Sequence, residues 1–179
     1  MPQGVFDFEI LLDVGCRCKD IGEATELCNF SSDYNVGFIE EPLFRDVELY
    51  SKLRSGTNMK ISSGETFFSS DQFKEWVKHK AIDIFQPDSN LMGIREVIKT
   101  LEIAKNNNIE IVFHNWANAI SNICNISLAS CMPGVCKYVE SSIVFNPYRN
   151  KLIEEPVKSI CGKYKLHDKP GLNVNLITS

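Results

Sequence analysis

Short apolar runs recur along the chain at 8–13, 36–40, 59–65, 82–88, 109–114 and 138–144, and each reads as a β-strand. Several are apolar nearly throughout instead of alternating with polar residues, the pattern of parallel strands covered on both faces. Amphipathic stretches lie between them. Ile94, Val97, Ile98, Leu101 and Ala104 repeat at helical spacing, as do Phe73, Trp76 and Val77 after a candidate cap at Ser70. Asn106-Asn107-Asn108 then supplies a break before the next strand. Strand alternating with helix across short links predicts a parallel α/β fold.

The residues that end these strands carry the chemistry. They are Asp13, Glu40, Glu65, Asp88, His114 and, expected just inside its strand, Glu140, between 23 and 27 residues apart. Each interval is one strand, one helix and two links, so all six side chains are expected at the carboxyl end of the sheet, where parallel α/β folds bind ligands. Neighbouring strands lie about 4.8 Å apart, so Asp13, Glu40 and Glu65 can converge on one point. Three carboxylates gathered in a small volume require a cation. All-oxygen ligation favours Mg²⁺, or Mn²⁺, over zinc. Taken singly, each acid reads equally well as a solvated loop residue.

Composition and charge narrow the remaining classes. The chain has 179 residues, is 44% hydrophobic, and carries 19 Lys and Arg against 23 Asp and Glu, a formal net charge of −4. It has the make-up of a globular domain of ordinary size, and we expect a single domain over 1–179. A mildly acidic chain has no general attraction for nucleic acid or anionic lipid, and no apolar run reaches the roughly 18 residues of a membrane span. The start lacks the pattern of a secretion signal. Seven cysteines without a Cys-x-x-Cys suit free thiols in a cytoplasmic setting.

Leu-Leu-Asp13, Phe-Ile-Glu40-Glu41-Pro42, Gly64-Glu65, Gln86-Pro87-Asp88, a strand ending at His114, and the closing Lys169-Pro170-Gly171-Leu172-Asn173-Val174 occur in an order that resembles the enolase superfamily, in its mandelate racemase branch. The likeness runs from about residue 5 to the end. It implies a partial (β/α)₈ barrel of about six parallel strand–helix units plus a short C-terminal tail, irregular or hairpin-like. By this resemblance Asp13, Glu40 and Glu65 match Mg²⁺ ligands, and Asp88 and His114 match an Asp–His dyad that moves a proton. Glu140 matches an acid that, protonated, donates a hydrogen bond to a substrate carboxylate. The implied activity is that of an acid-sugar dehydratase or racemase removing the proton α to a carboxylate through an enediolate, on a small carboxylate or acid-sugar substrate.

Full-length members carry an N-terminal capping domain and two earlier strands, one bearing Lys-x-Lys. We therefore expect a fragment with little turnover alone and self-association, or a homo-oligomer, through an open edge exposing Ile10 and Leu12. Asp13-Val14-Gly15 departs from the usual Asp-x-Asn, and the loop after Asp88 is one residue short of the common pattern. The alternative is a non-catalytic remnant or assembly partner that keeps the metal carboxylates. His79 reads as a solvated helix end. Trp116 reads as a pocket wall or as core, and Asn115 as a substrate contact or a helix cap.

Overall fold

The computed structural model describes residues 8–177. Eight strands and seven helices are assigned there: β1 (Ile10–Asp13), α1 (Ile21–Ser31), β2 (Val36–Glu40), α2 (Val47–Ser55), β3 (Ile61–Ser63), α3 (Ser70–Lys78), β4 (Ile84–Phe85), α4 (Ser89–Met92), α5 (Ile94–Asn107), β5 (Glu110–Phe113), α6 (Ala119–Cys131), β6 (Cys136–Val139), α7 (Pro147–Asn150), β7 (Ser159–Ile160) and β8 (Lys163–Tyr164). Strands β1 to β6 form one sheet in sequence order, the strand–helix progression of a partial (β/α)₈ barrel, and β7–β8 is a separate antiparallel hairpin. The residues fall into two compact units, 1–63 with 74–84, and 64–73 with 85–179.

In the first unit β1 pairs with β2 and β2 with β3, all parallel. The register places Asp13 opposite Glu40 and Glu40 opposite Ser62. Asp20 caps α1 and Asp46 caps α2 by accepting backbone N–H groups of the first turn, each contributing about 1 kcal/mol. Ile39 and Ile61 are fully buried, as is Tyr50, whose ring lies 4.7 Å from that of Trp76. Among the described residues strand β1 has a single neighbour in its sheet, and Ile10 and Leu11 are each about two-fifths exposed. Leu12, expected beside Ile10, is half-buried instead.

In the second unit Phe85 organises the core. Its ring stacks on Phe73 at 4.2 Å and tilts against Phe67 at 5.4 Å. A Cβ on Gly64, whose φ is +116°, would overlap the Phe85 ring, so this position requires glycine both for conformation and for space. Helix α5 buries Val97, Thr100, Leu101 and Ala104 and ends at Asn108, in the left-handed conformation, which asparagine tolerates better than most residues. Strand β5 pairs in parallel with β6 across a register shift between Ile111 and Val112.

Several boundaries differ from the sequence expectation. Ser70 does not cap α3 as an acceptor; its N–H and hydroxyl both donate to Glu96, and Ser69 Oγ receives the Gln72 N–H. The last strand of the sheet begins at Cys136 and ends at Val139, so Glu140 follows it. The tail over 163–176 starts as the second strand of the β7–β8 hairpin, is irregular from 165 to 175, and is held back on the chain by a bridge between Ile153 and Leu176.

Candidate active site

Each of the six singled-out residues lies at or just beyond the carboxyl end of a strand. Asp13 and Glu40 are the last residues of β1 and β2; Glu65, Asp88, His114 and Glu140 follow β3, β4, β5 and β6. The two compact units carry different parts of this set, and each part has its own geometry.

At the ends of β1 and β2, Asp13 and Glu40 are register partners. The Val14 N–H donates to the Glu40 carbonyl at 2.9 Å, and Asp13 Oδ1 accepts the Gly15 N–H at 3.0 Å, closing a tight turn. Glu40 is 6% exposed, whereas Asp13 is open to solvent. Hard carboxylate oxygens, one of them on a buried side chain, form a donor set that fits Mg²⁺ or Mn²⁺. Among the described residues, no group of three or more His, Cys, Asp or Glu side chains is already gathered around a metal position. The fit therefore rests on donor chemistry and on the Asp13–Glu40 register.

The ends of β4, β5 and β6 carry the dyad. His114 Nδ1 stands 3.2 Å from Asp88 Oδ2, and His114 Nε2 stands 3.3 Å from Glu65 Oε2. An ionised Asp88 can only accept, so Nδ1 carries the proton of that contact and Nε2 is the nitrogen left to exchange one. Asp88 is nearly fully buried, which by itself would raise its pKa. The hydrogen bonds from His114, the Asn90 N–H and Asn125 outweigh that effect and hold it below the ordinary carboxylate range. For His114, burial favours the neutral ring. The hydrogen bond to Asp88 and the charges of Glu140, Glu65 and Asp88 overcome this and raise its pKa.

Asn125 fixes the dyad from behind. It is fully buried in α6; its Oδ1 accepts the Ser89 N–H at 3.0 Å, and its amide NH₂ reaches the His114 carbonyl at 3.0 Å and Asp88 Oδ1 at 3.3 Å. Asn115 extends the lattice. Its side chain donates to Asn122 Oδ1 at 2.6 Å and to the Glu140 carbonyl at 3.0 Å, while its N–H donates to Glu140 Oε2 at 3.0 Å. Asn115 is thus not a helix cap; Asn118 fills that role for α6, accepting from Ile120 and Ser121. Arg149 ties the loop after β6 to this region by donating to the carbonyls of Asn115 and Ser142.

Sequence reasoning missed Asn122, Asn125 and Arg149. Two asparagines three residues apart in a helix without a charged residue were the available signal, because a buried amide needs partners. Gln86 is another buried amide at this end, and neither of its terminal atoms has a hydrogen-bond partner among the described residues. Trp116 is 54% exposed, so it is not core; with Glu140, Ser141, Ser142, Ile143 and Val144 it lines a cavity of about 260 Å³. His79 sits at the end of α3 with Nδ1 3.3 Å from Glu75, as a solvated helix end should. No helix of the described residues is long and apolar enough to cross a membrane, and none of the seven cysteines forms a disulfide.

Parallel strand–helix units that place acids and a carboxylate-bound histidine at successive strand ends define a (β/α)₈-type protein with a polar carboxyl-end site. The chain belongs to the enolase C-terminal domain-like family, which it matches over residues 3–178. It is 24% identical over 179 residues to D-galactarolactone cycloisomerase of Agrobacterium fabrum, covering 95% of this chain and 47% of that protein. It is 27% identical over 174 residues to arabinonate dehydratase of Saccharolobus solfataricus, covering 96% of this chain and 43% of that protein. Among solved structures, L-talarate dehydratase from Polaromonas sp., complexed with Mg and L-glucarate, shares the fold with a TM-score of 0.82 at 23% identity, over 94% of this chain and 45% of that one. The chain spans less than half the length of these relatives.

Proposed function

We propose that this chain carries, as one enolase-type domain, the catalytic end of a Mg²⁺-dependent enzyme that removes the proton α to the carboxylate of an acid sugar, followed by β-elimination or by return of the proton. The observation that carries the reading is His114 held between Asp88 on Nδ1 and Glu65 on Nε2. Relatives named as acid-sugar dehydratases and a cycloisomerase support the substrate class.

Asp13, Glu40 and Glu65 would hold the cation, which when bound supplies positive charge to a substrate carboxylate and so acidifies its α-proton. The chain's own groups do the rest. Asp88 fixes the ring of His114 and raises its basicity, leaving Nε2 to take or give the proton. In dehydration His114 would return it to the departing hydroxyl; in racemisation His114 would take or give the proton on one face only, and a second acid/base would have to serve the opposite face. Glu140, placed by the Asn115 N–H, would on protonation donate a hydrogen bond to the substrate carboxylate, and Trp116 would wall the sugar. Free thiols suit a reducing cytoplasm.

The test is exchange of the α-proton for deuterium in a panel of acid sugars with Mg²⁺, followed by proton NMR, together with detection of 2-keto-3-deoxy products. Exchange in the parent and its loss in His114→Asn is the expected result. Undiminished exchange in His114→Asn would remove the histidine from the chemistry. Strand β1, with one neighbour among the described residues and with Ile10 and Leu11 exposed, favours self-association as a companion property, which sedimentation velocity would read directly.

A further inference from the structure

The strand ends that carry Asp13 and Glu40 are locked by two residues in a conformation that side chains avoid. Cys16 has φ 60° and Glu41 has φ 43°. A left-handed conformation costs roughly 1–2 kcal/mol for a residue with a Cβ. Such residues persist where their surroundings over-determine them, and they cluster at functional sites. Here the two strained residues hold one another: the Cys16 N–H donates to the Glu41 carbonyl at 2.6 Å, and Cys16 Sγ lies 3.5 Å from Glu41 Oε2. The Cys18 N–H donates to the Pro42 carbonyl at 3.0 Å and the Glu41 N–H to the Ser62 carbonyl at 3.0 Å, so the Glu40-Glu41-Pro42 stretch is stitched on both sides.

The Glu41 side chain completes the lock. It is 1% exposed, and its carboxylate takes a two-pronged contact from Arg45, with Nε donating to Oε1 at 2.6 Å and the second guanidinium nitrogen to Oε2. Ser63 Oγ adds a third donor at 3.1 Å. Glu41 is buried while the Arg45 side chain stays 29% exposed, and burying a carboxylate for the sake of an ion pair is a poor way to gain stability, since apolar residues of similar volume commonly do as well or better. A planar guanidinium gripping a carboxylate does fix geometry closely. Glu40 is the last residue of β2 and Glu41 the first beyond it, so holding Glu41 in its left-handed turn fixes the main chain from which the Glu40 side chain departs.

We infer that Glu41 and Arg45 are positioning residues: gripped by Arg45, Glu41 holds the strained turn that keeps Glu40 at the side of Asp13 and so preforms this pair of carboxylates for a divalent cation. The inference rests on the metal reading above. It makes a prediction opposite in sign to simple electrostatics. Deleting the positive charge of Arg45 beside a cation site should tighten cation binding on charge grounds alone; on positioning grounds it loosens it. Arg45→Lys separates the two further, because lysine keeps the charge and loses the fork.

The experiment titrates the purified chain with Mn²⁺ under paramagnetic resonance detection, with urea denaturation run on every variant. The expected result is a 10- to 100-fold loss of Mn²⁺ affinity, the usual effect of removing a group that supports a metal ligand, in both Arg45→Met and Arg45→Lys. Loss in folded Arg45→Lys is not a matter of charge or of global stability, and this variant decides the question should Arg45→Met fail to fold. Parent-like or tighter binding in Arg45→Lys, with binding weakened in Glu40→Gln, overturns the positioning role and leaves the metal reading intact. Parent-like binding in Glu40→Gln overturns the metal reading, and the positioning role with it.

Discussion

The end of the β1–β2 pair and the end of the β4–β6 group hold their candidate site side chains by different means. At β1–β2 the backbone does the holding: two left-handed residues, a tight turn at Gly15 and a ladder of main-chain hydrogen bonds surround Asp13 and Glu40. At β4–β6 side chains do it: Asn115, Asn122 and Asn125 bond to one another, to Asp88 and Glu140, and to the carbonyl of His114. On the function proposed above, the difference suits two tasks. A cation ligand needs a fixed position, which a rigid backbone supplies. A residue that moves protons changes charge on each transfer, and here the asparagines hold its partner Asp88 and its main chain and leave the ring itself to the carboxylates.

The sharpest way to break this contrast is Asn125→Ala. It strips partners from Asp88, His114 and the Ser89 N–H inside a buried site, and unsatisfied buried groups cost about 1–3 kcal/mol each. Some relaxation will spare part of that, so we expect about 3 kcal/mol of lost stability in urea denaturation. Next comes Gly64→Ala, where the added methyl meets the Phe85 ring and the backbone is left-handed. About 2–3 kcal/mol should be lost, and because Glu65 follows directly, the carboxylate beside His114 Nε2 should shift with it.

Asp88→Asn sharpens the comparison through pH. The raised pKa of His114 means that its charged form is favoured by the fold. That stabilisation is complete below the unfolded value of 6.5 and fades as pH rises from there through the folded value. Asp88 works in the opposite sense, stabilising above its unfolded value of 3.8 and losing that contribution as pH falls through its lowered folded value. In Asp88→Asn the His114 pKa, followed by NMR titration of the ring protons, should drop relative to the parent. The alkaline decline in stability should shrink and the acid one should weaken. An unchanged His114 titration would show that the Asp88 contact does not tune the ring.

Two smaller effects complete the series. Gly15→Ala places a Cβ at φ +57° with only Asp13 Oδ1 nearby, 3.9 Å away. It should cost about 1 kcal/mol, by backbone strain alone. Trp116→Ala, at an exposed position, should change stability by no more than about 0.5 kcal/mol, while weakening any ligand that the indole walls. Denaturation midpoints test both.

The alternation of strands and helices was legible because parallel strands and amphipathic helices leave opposite periodicities. Strand β2 occupies 36–40 as read, and α5 buries Val97, Leu101 and Ala104 as its spacing required. Ile94 and Ile98, on the same sequence stripe, remain about half exposed, because a stripe marks a face without marking how much of it is covered. Glu140 was read inside its strand, yet β6 starts two residues earlier, at a half-buried Cys136 followed by an exposed Lys137 that breaks the apolar pattern. The Asp88–His114 contact could be anticipated from strand order. The asparagine lattice could not, since hydrogen-bond partners at long separation leave no periodic trace. Nor could the left-handed Glu41, because nothing in Glu-Glu-Pro specifies that conformation.

The bridge that joins Ile153 to Leu176 has a consequence for how the chain opens. It closes a loop of about two dozen residues with two main-chain hydrogen bonds, Glu154 N–H to Asn175 and Ile177 N–H to Leu152, and one side-chain bond from Asn175 to Glu154. So few bonds barely offset the entropy of closing such a loop. The hairpin inside it is two residues a side, with Ile160 exposed. This segment should therefore detach as a unit well below the free energy of global unfolding. Its amides will exchange with solvent first, and a protease will find its earliest cut there. Each such opening also breaks the bridge at Ile153, a residue 1% exposed in the closed structure.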